Sequence, residues 1–115
     1  MSLAKRKGGS AHERALANKL WSMGGLAVLR GGCSSGGGVR KRFVPDIVAI
    51  GPGFVLVIEA KYRSERSSIR IEGEKVEKLL EFAHRARGGD AYVAVKYKGD
   101  DWRFLPITDR GGTLS

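Results

Sequence analysis

Cysteine is nearly missing from this chain: Cys33 is the only one among 115 residues. A single thiol cannot close an internal disulfide, so the fold must be held by its core, and a reducing, cytoplasmic setting is expected. No apolar run approaches the ~20 residues that cross a bilayer, and no apolar segment follows the basic N-terminus, which argues against a membrane span and against secretion. Acidic residues are in the minority, 12 against 21 Lys and Arg, for a net charge of +9. In so small a chain that excess points to a polyanionic partner, nucleic acid before membrane. Zinc-ligand spacing is absent. The G-x-x-x-x-G-K-[ST] phosphate-binding spacing is absent too, so no nucleotide cofactor is expected. Proline is confined to three positions, Pro45, Pro52 and Pro106, each beside an apolar run.

What is present centres on residues 45–61. Two β-branched runs, Ile47 to Ile50 and Phe54 to Ile58, flank Gly51-Pro52-Gly53 and predict a β-hairpin. Charge falls only at the ends far from the turn, as Asp46 on the first strand and Glu59 and Lys61 on the second. Side chains alternate along a strand, so Glu59 and Lys61 share a face. The turn decides whether Asp46 joins them. A three-residue loop sets Asp46 opposite Ile58, whereas an even one sets it opposite Glu59, with Cβ atoms roughly 5 Å apart. Two carboxylates that close repel each other, and a divalent cation between them would remove that cost. Oxygen-only ligands suit Mg²⁺, with Mn²⁺ as a substitute. Lys61 beside such a metal would polarise a water or hold a phosphate oxygen. Singly, each of the three is explained as a polar strand end; their convergence is what points to a site.

Around the hairpin, residues 1–9 are basic and Gly-rich, a flexible arm whose Lys5, Arg6 and Lys7 suit phosphates. Ser10-Ala11-His12-Glu13 has a capping-box pattern, with Ser10 as N-cap and Glu13 at N3. The helix it opens carries Leu16, Leu20 and Met23 as its apolar stripe and stops at Gly24-Gly25. From the residues alone, Glu13 is either a cap or a catalytic acid, and His12 is a surface residue. A strand at 26–29 ends at Arg30. Residues 31–44 then form a Gly/basic loop whose amides, Ser34 and Ser35 hydroxyls and Arg40-Lys41-Arg42 triplet match phosphate contacts. A loop at 62–68 leads to a brief strand at 69–71. A second helix at 73–87 has Val76, Leu79, Leu80 and Ala83 on its buried face. Strands follow at 90–96 and 102–106, with Pro106 marking an edge, and the tail to Ser115 is expected to fray. This order predicts an α/β fold, a mixed sheet with helices packed on it.

Several of these pieces match one family's pattern. They are Gly9-x-x-x-Glu13-Arg14, Val28-Leu29-Arg30 with its Gly/Ser loop, Pro45-Asp46-Ile47-Val48, Ile58-Glu59-Ala60-Lys61, Leu80-Glu81-Phe82-Ala83 and Ala94-Val95-Lys96. On these the chain resembles the archaeal-type Holliday junction resolvases, within the wider restriction-endonuclease-like nucleases. The resemblance implies a single nuclease domain over residues 1–115, with a restriction-endonuclease-like core of central mixed β-sheet flanked by α-helices. It implies that Asp46 and Glu59 hold Mg²⁺, that Lys61 assists the water, and that Glu13 is a further catalytic acid. Arg14 and Arg30 would contact the phosphodiester backbone, and Ser34 or Ser35 would match the family's loop serine. The implied activity is a metal-dependent, structure-selective endonuclease that makes paired nicks in four-way junction DNA as a homodimer. Apolar surface for a two-fold contact is expected on the second helix, at Phe82, or on the last strand, at Trp102 and Phe104. Two rivals stand beside this reading: a related nuclease acting on duplex or damaged DNA, and a non-catalytic basic DNA-binding module.

Overall fold

The computed structural model describes residues 7–31, 43–108 and 113–114. Among them the chain runs α1 (Lys7–Ser22), β1 (Ala27–Arg30), β2 (Ile47–Gly51), β3 (Phe54–Arg63), β4 (Ile69–Arg70), α2 (Gly73–Arg85), β5 (Asp90–Tyr97), β6 (Arg103–Pro106) and β7 (Thr113–Leu114). Five strands form one sheet in the order β1-β2-β3-β5-β6. The β3–β5 pair is parallel and the other three pairs are antiparallel, so the sheet is mixed. Parallel neighbours need a long crossover, and α2 lies within it. Pro106 falls on the edge strand β6, where its missing N–H leaves no ladder bond unmade.

The two faces of the sheet are buried separately. Val57, Val93 and Val95 pack against Val76, Leu79 and Ala83 of α2 on one face. On the other, Ile47, Ile58 and Ala94 pack against Leu16, Ala17 and Leu20 of α1. Odd-numbered residues of β3 therefore face α2 and even-numbered ones face α1, the period-2 alternation expected of a strand covered on both sides.

The hairpin closes on a Gly51–Phe54 pair, which fixes the register as Ile47 with Ile58 and Val48 with Val57. Only Pro52 and Gly53 lie in the turn, and Gly53 takes the φ of 86° that a side chain would resist. This is the even-loop alternative, and it carries Asp46 opposite Glu59.

Several sequence expectations are corrected. The first helix begins at Lys7 and not after Ser10, so Ser10 and Glu13 lie inside it and are not its N-cap and N3 positions. The buried Leu16, Ala17 and Leu20 anchor the helix firmly enough to carry it back through Gly8 and Gly9, although each glycine costs about 1 kcal/mol against alanine there. Lys7 to Gly9 are thus helical and not part of an arm; residues 1–6 lie outside the described residues. Met23 is 66% exposed and does not extend the apolar stripe, because the helix has ended before it; Ala17 takes that place. The strand expected at 26–29 runs one residue later. The central strand continues through Tyr62 and Arg63, where a loop was expected, because β5 pairs with it as far as Arg63–Tyr97. The second helix ends at Arg85, two residues short of expectation, and Arg87 already has a left-handed φ of 55°. Thr113 and Leu114 do not fray; they pair with Arg70 and Ile69 in a separate two-stranded sheet.

Candidate active site

At the end of the hairpin far from its turn, the β1–β2 ladder continues for one more bond. Gly31 N–H donates to the Asp46 carbonyl at 2.8 Å. Gly31 has no alternative there: a Cβ on it would lie 1.9 Å from the Pro45 carbonyl oxygen and 2.6 Å from Val44 Cγ1. Pro45 itself is fully buried. The Asp46 backbone is thereby clamped between a buried proline and a glycine that must stay a glycine. Its side chain is held as well, since Ala60 N–H, just past the last β2–β3 pair, donates to Asp46 Oδ2 at 2.9 Å.

Glu59 occupies the facing position on β3, pointing to the α2 side of the sheet, and is only 4% exposed. It is the one buried charged side chain among the described residues. Two ammonium groups converge on a single oxygen of it. Lys75 Nζ donates to Glu59 Oε2 at 3.1 Å, and Lys61 Nζ lies 3.6 Å from the same atom. Burial pushes the Asp46 carboxyl above its ordinary range; the Ala60 N–H opposes this and the Glu13 charge adds to it. Burial likewise pushes Glu59 up, reinforced by the Asp46 charge and opposed by Lys75 and Lys61. Burial alone would pull the Lys75 ammonium down, but the Glu59 carboxylate outweighs it and the net direction is up.

These are two carboxylates forced together in a place where neither is comfortably charged. Their donor set, oxygen alone, fits a hard divalent cation. Among the described residues no group of three or more His, Cys, Asp or Glu side chains forms a metal cage. One or two carboxylates are the usual protein share for Mg²⁺, which keeps several waters and takes substrate phosphates as its other ligands.

Glu13 comes to the same end of the molecule on α1. Its Oε1 lies 3.4 Å from Arg30 Nη2 at the close of β1, and its charge is felt at Asp46. Arg14, the next residue, is exposed on α1. Ser34, Ser35, Arg40, Lys41 and Arg42 lie outside the described residues. Of the expected site residues, Glu13, Arg30, Asp46, Glu59 and Lys61 are thus gathered at one end of the sheet.

Two contacts there were not anticipated. Lys75 is not among the residues that the sequence reading singles out. The signal that singles it out is its position in the first turn of α2, where the positive end of the helix disfavours a cation. His12, expected at the surface, stacks on Tyr62 with ring centroids 3.7 Å apart and planes 9° from parallel. Tyr62 and Lys61 are neighbours on opposite faces of β3, so the stack pins α1 to the strand beside the acidic pair.

Residues 4–112 match the family described as archaeal Holliday junction resolvase (Hjc). The chain belongs to that family. Curated proteins named crossover junction endodeoxyribonuclease Hjc are similar to it throughout most of its length. That of Sulfurisphaera tokodaii is 41% identical over 88 residues, 76% of this chain and 58% of the relative. That of Archaeoglobus fulgidus is 39% identical over 99 residues, 86% of this chain and 68% of the relative. That of Sulfolobus acidocaldarius is 35% identical over 103 residues, 90% and 68% of the two chains. Among solved structures, that of Archaeoglobus fulgidus Hjc, described as a Holliday junction resolvase from an archaeal hyperthermophile, superposes with a TM-score of 0.74 at 35% identity. It covers 91% of this chain and 86% of that one. The five-stranded mixed sheet with its two helices is thus the Hjc fold, and membership of this nuclease family implies a divalent metal. Among the described residues no helix is long and apolar enough to cross a membrane.

Proposed function

We propose that this protein is a Mg²⁺-dependent endonuclease that nicks paired strands of four-way junction DNA. The observation that carries the reading is the pairing of Asp46 with Glu59. Glu59 is buried and Asp46 half-buried, with Lys61 beside them, at one end of a domain of net charge +9. Asp46 and Glu59 would hold the metal. A bound Mg²⁺ supplies positive charge to the scissile phosphate and lowers the pKa of its water.

The side chains supply the rest. Ala60 N–H keeps the Asp46 carboxylate turned into the site, and the buried backbone of Pro45 prevents it from drifting. Lys61 donates to the attacking water or to a non-bridging phosphate oxygen, where its charge offsets the negative charge that builds up on phosphorus. Glu13 adds an acidic group from α1, and Arg30 both orients it and offers a cation to the DNA backbone. Hydrolysis then bonds the water oxygen to phosphorus as the P–O3′ bond breaks, and the leaving oxygen takes a proton. The ends are a 5′-phosphate and a 3′-hydroxyl. Arg14, Ser34, Ser35 and the Arg40-Lys41-Arg42 triplet complete the backbone contacts in this reading.

Resolving a junction takes two symmetric cuts, which a two-fold dimer provides. Phe82 on α2, which with Phe43 lines a hollow of about 430 Å³ flanked by Lys78, Glu81 and Arg85, is the surface we assign to that contact. Trp102 is the weaker choice because it packs into the α1-side core.

The test is cleavage of a labelled four-way junction and of its component duplexes with Mg²⁺, by the wild type and Asp46→Ala. Symmetric nicks confined to the junction and lost in the variant are expected. Equal cutting of duplex would favour a general nuclease of the same group. Tight junction binding without cutting by either protein would leave a binding module and overturn the enzyme.

A further inference from the structure

Glu59 Oε2 carries one cation more than the proposed chemistry uses. Lys61, on the same strand and face, already lies 3.6 Å away. Lys75 reaches the same oxygen from a different element, closer, at 3.1 Å and with hydrogen-bond geometry. Its location is locally unfavourable. It is the third residue of α2, where the unpaired N–H groups and the helix dipole repel a positive charge, and the N-cap residue Glu72 makes no side-chain cap bond to soften that end. The side chain is also 41% exposed, so nothing in the core demands a lysine there. What the ammonium gains is the acidic pair: it is drawn to Glu59 first and to Asp46 as well.

A group so placed does two things. Without a metal it neutralises a buried carboxylate that would otherwise have only the more distant Lys61 to set against Asp46, and so holds the site together. With a metal it is a like charge next to a divalent cation on the same ligand, and it must give up Glu59 Oε2 or share it. Contacts that compete for one atom are linked: whatever the Lys75–Glu59 pair contributes is subtracted from metal binding, and removing one partner strengthens the other.

We propose that Lys75 is a resident counter-cation of the active site, a positioning residue that stabilises the metal-free pair and sets metal affinity below what Asp46 and Glu59 would reach without it. This rests on the reading of Asp46 and Glu59 as metal ligands. It predicts an effect opposite in sign to that of a merely structural lysine, whose loss would leave metal affinity unchanged or weaken it.

The experiment titrates the whole protein with Mn²⁺ alone by calorimetry, comparing wild type, Lys75→Met, Lys75→Arg and Asp46→Asn, with thermal unfolding in EDTA alongside. Lys75→Met should bind Mn²⁺ at least fivefold more tightly than wild type while melting at a lower temperature in EDTA. Lys75→Arg, which keeps the charge, should restore both values. Lys75→Gln replaces Lys75→Met if the latter does not fold. Mn²⁺ affinity that is equal or weaker in both neutral variants, with wild-type binding abolished in Asp46→Asn, overturns the role of Lys75 and spares the metal site. Wild type and Asp46→Asn binding Mn²⁺ alike would overturn the metal reading itself, and this inference with it.

Discussion

Replacing Asp46 by Asn should stabilise the metal-free protein while abolishing cleavage. The two carboxylates face each other across the hairpin, and unit charges about 4–6 Å apart at an effective dielectric near 20 repel by roughly 3–4 kcal/mol. Lys75 and Lys61, at 3.1 and 3.6 Å from Glu59, offset part of it, and the Asn amide oxygen can still accept the Ala60 N–H, so that bond need not be lost. A net gain of about 1–2 kcal/mol remains, which for a chain of this size raises Tm by roughly 4–8 °C.

The gain depends on pH in a defined direction. Asp46 and Glu59 both titrate above their ordinary values of 3.8 and 4.5 when folded. The folded state therefore binds these protons more tightly than the unfolded chain. On their account the metal-free fold is most stable below about pH 4 and loses stability as pH rises through the raised folded values. Asp46→Asn removes one of these losses, so its advantage should be full at pH 8 and shrink toward pH 4. Thermal unfolding in EDTA at both pH values measures it, with added Mn²⁺ stabilising the wild type and not the variant. An Asp46→Asn protein that melts below the wild type at pH 8 in EDTA would refute the account of strained, paired carboxylates.

Gly31→Ala should destabilise the fold by about 1–3 kcal/mol, since the new Cβ would sit 1.9 Å from the Pro45 carbonyl and nothing there can move cheaply. Because that clash pushes on the residue before Asp46, cleavage should fall by more than the folded fraction does; a urea midpoint and an initial rate on the same sample check it. Lys61→Met should lower kcat by about 10²–10³-fold, the scale of losing one charge-stabilising donor, while Mn²⁺ still binds. A large loss of metal binding instead would make Lys61 structural.

Much of the fold was legible because the physics involved is local. Alternating β-branched runs about Gly51-Pro52-Gly53 leave few options but a hairpin, and the stripe Val76, Leu79, Ala83 leaves few but a helix buried on one side. The charged residues stand out for the same reason, since Asp46, Glu59 and Lys61 interrupt runs that are otherwise apolar. The start of α1 was misjudged because Ser10 to Glu13 satisfies a capping rule that operates only if nothing upstream is helical. Burial of Leu16 and Leu20 against the sheet outweighed it, and with that Glu13 lost its explanation as a cap and stands instead against Arg30. The β7 pairing was missed because two residues carry no periodicity, and their partner lies more than forty positions earlier in the chain.

By itself, then, the order of residues determined which segments bury, which side chains share a face of β3, and the acidic and basic types the chemistry needs, because alternation and apolar burial act over a few residues. Only the tertiary structure decided that Asp46 stands opposite Glu59 and not Ile58, which depends on a one-residue difference in how the turn closes. It alone decided that Glu13 and Arg30 come to the same end of the sheet from separate elements, and that Lys75 reaches the site. That last contact exists because β3 and β5 pair in parallel, which draws the crossover helix over the face where Glu59 points, a relation between distant segments that no local pattern contains.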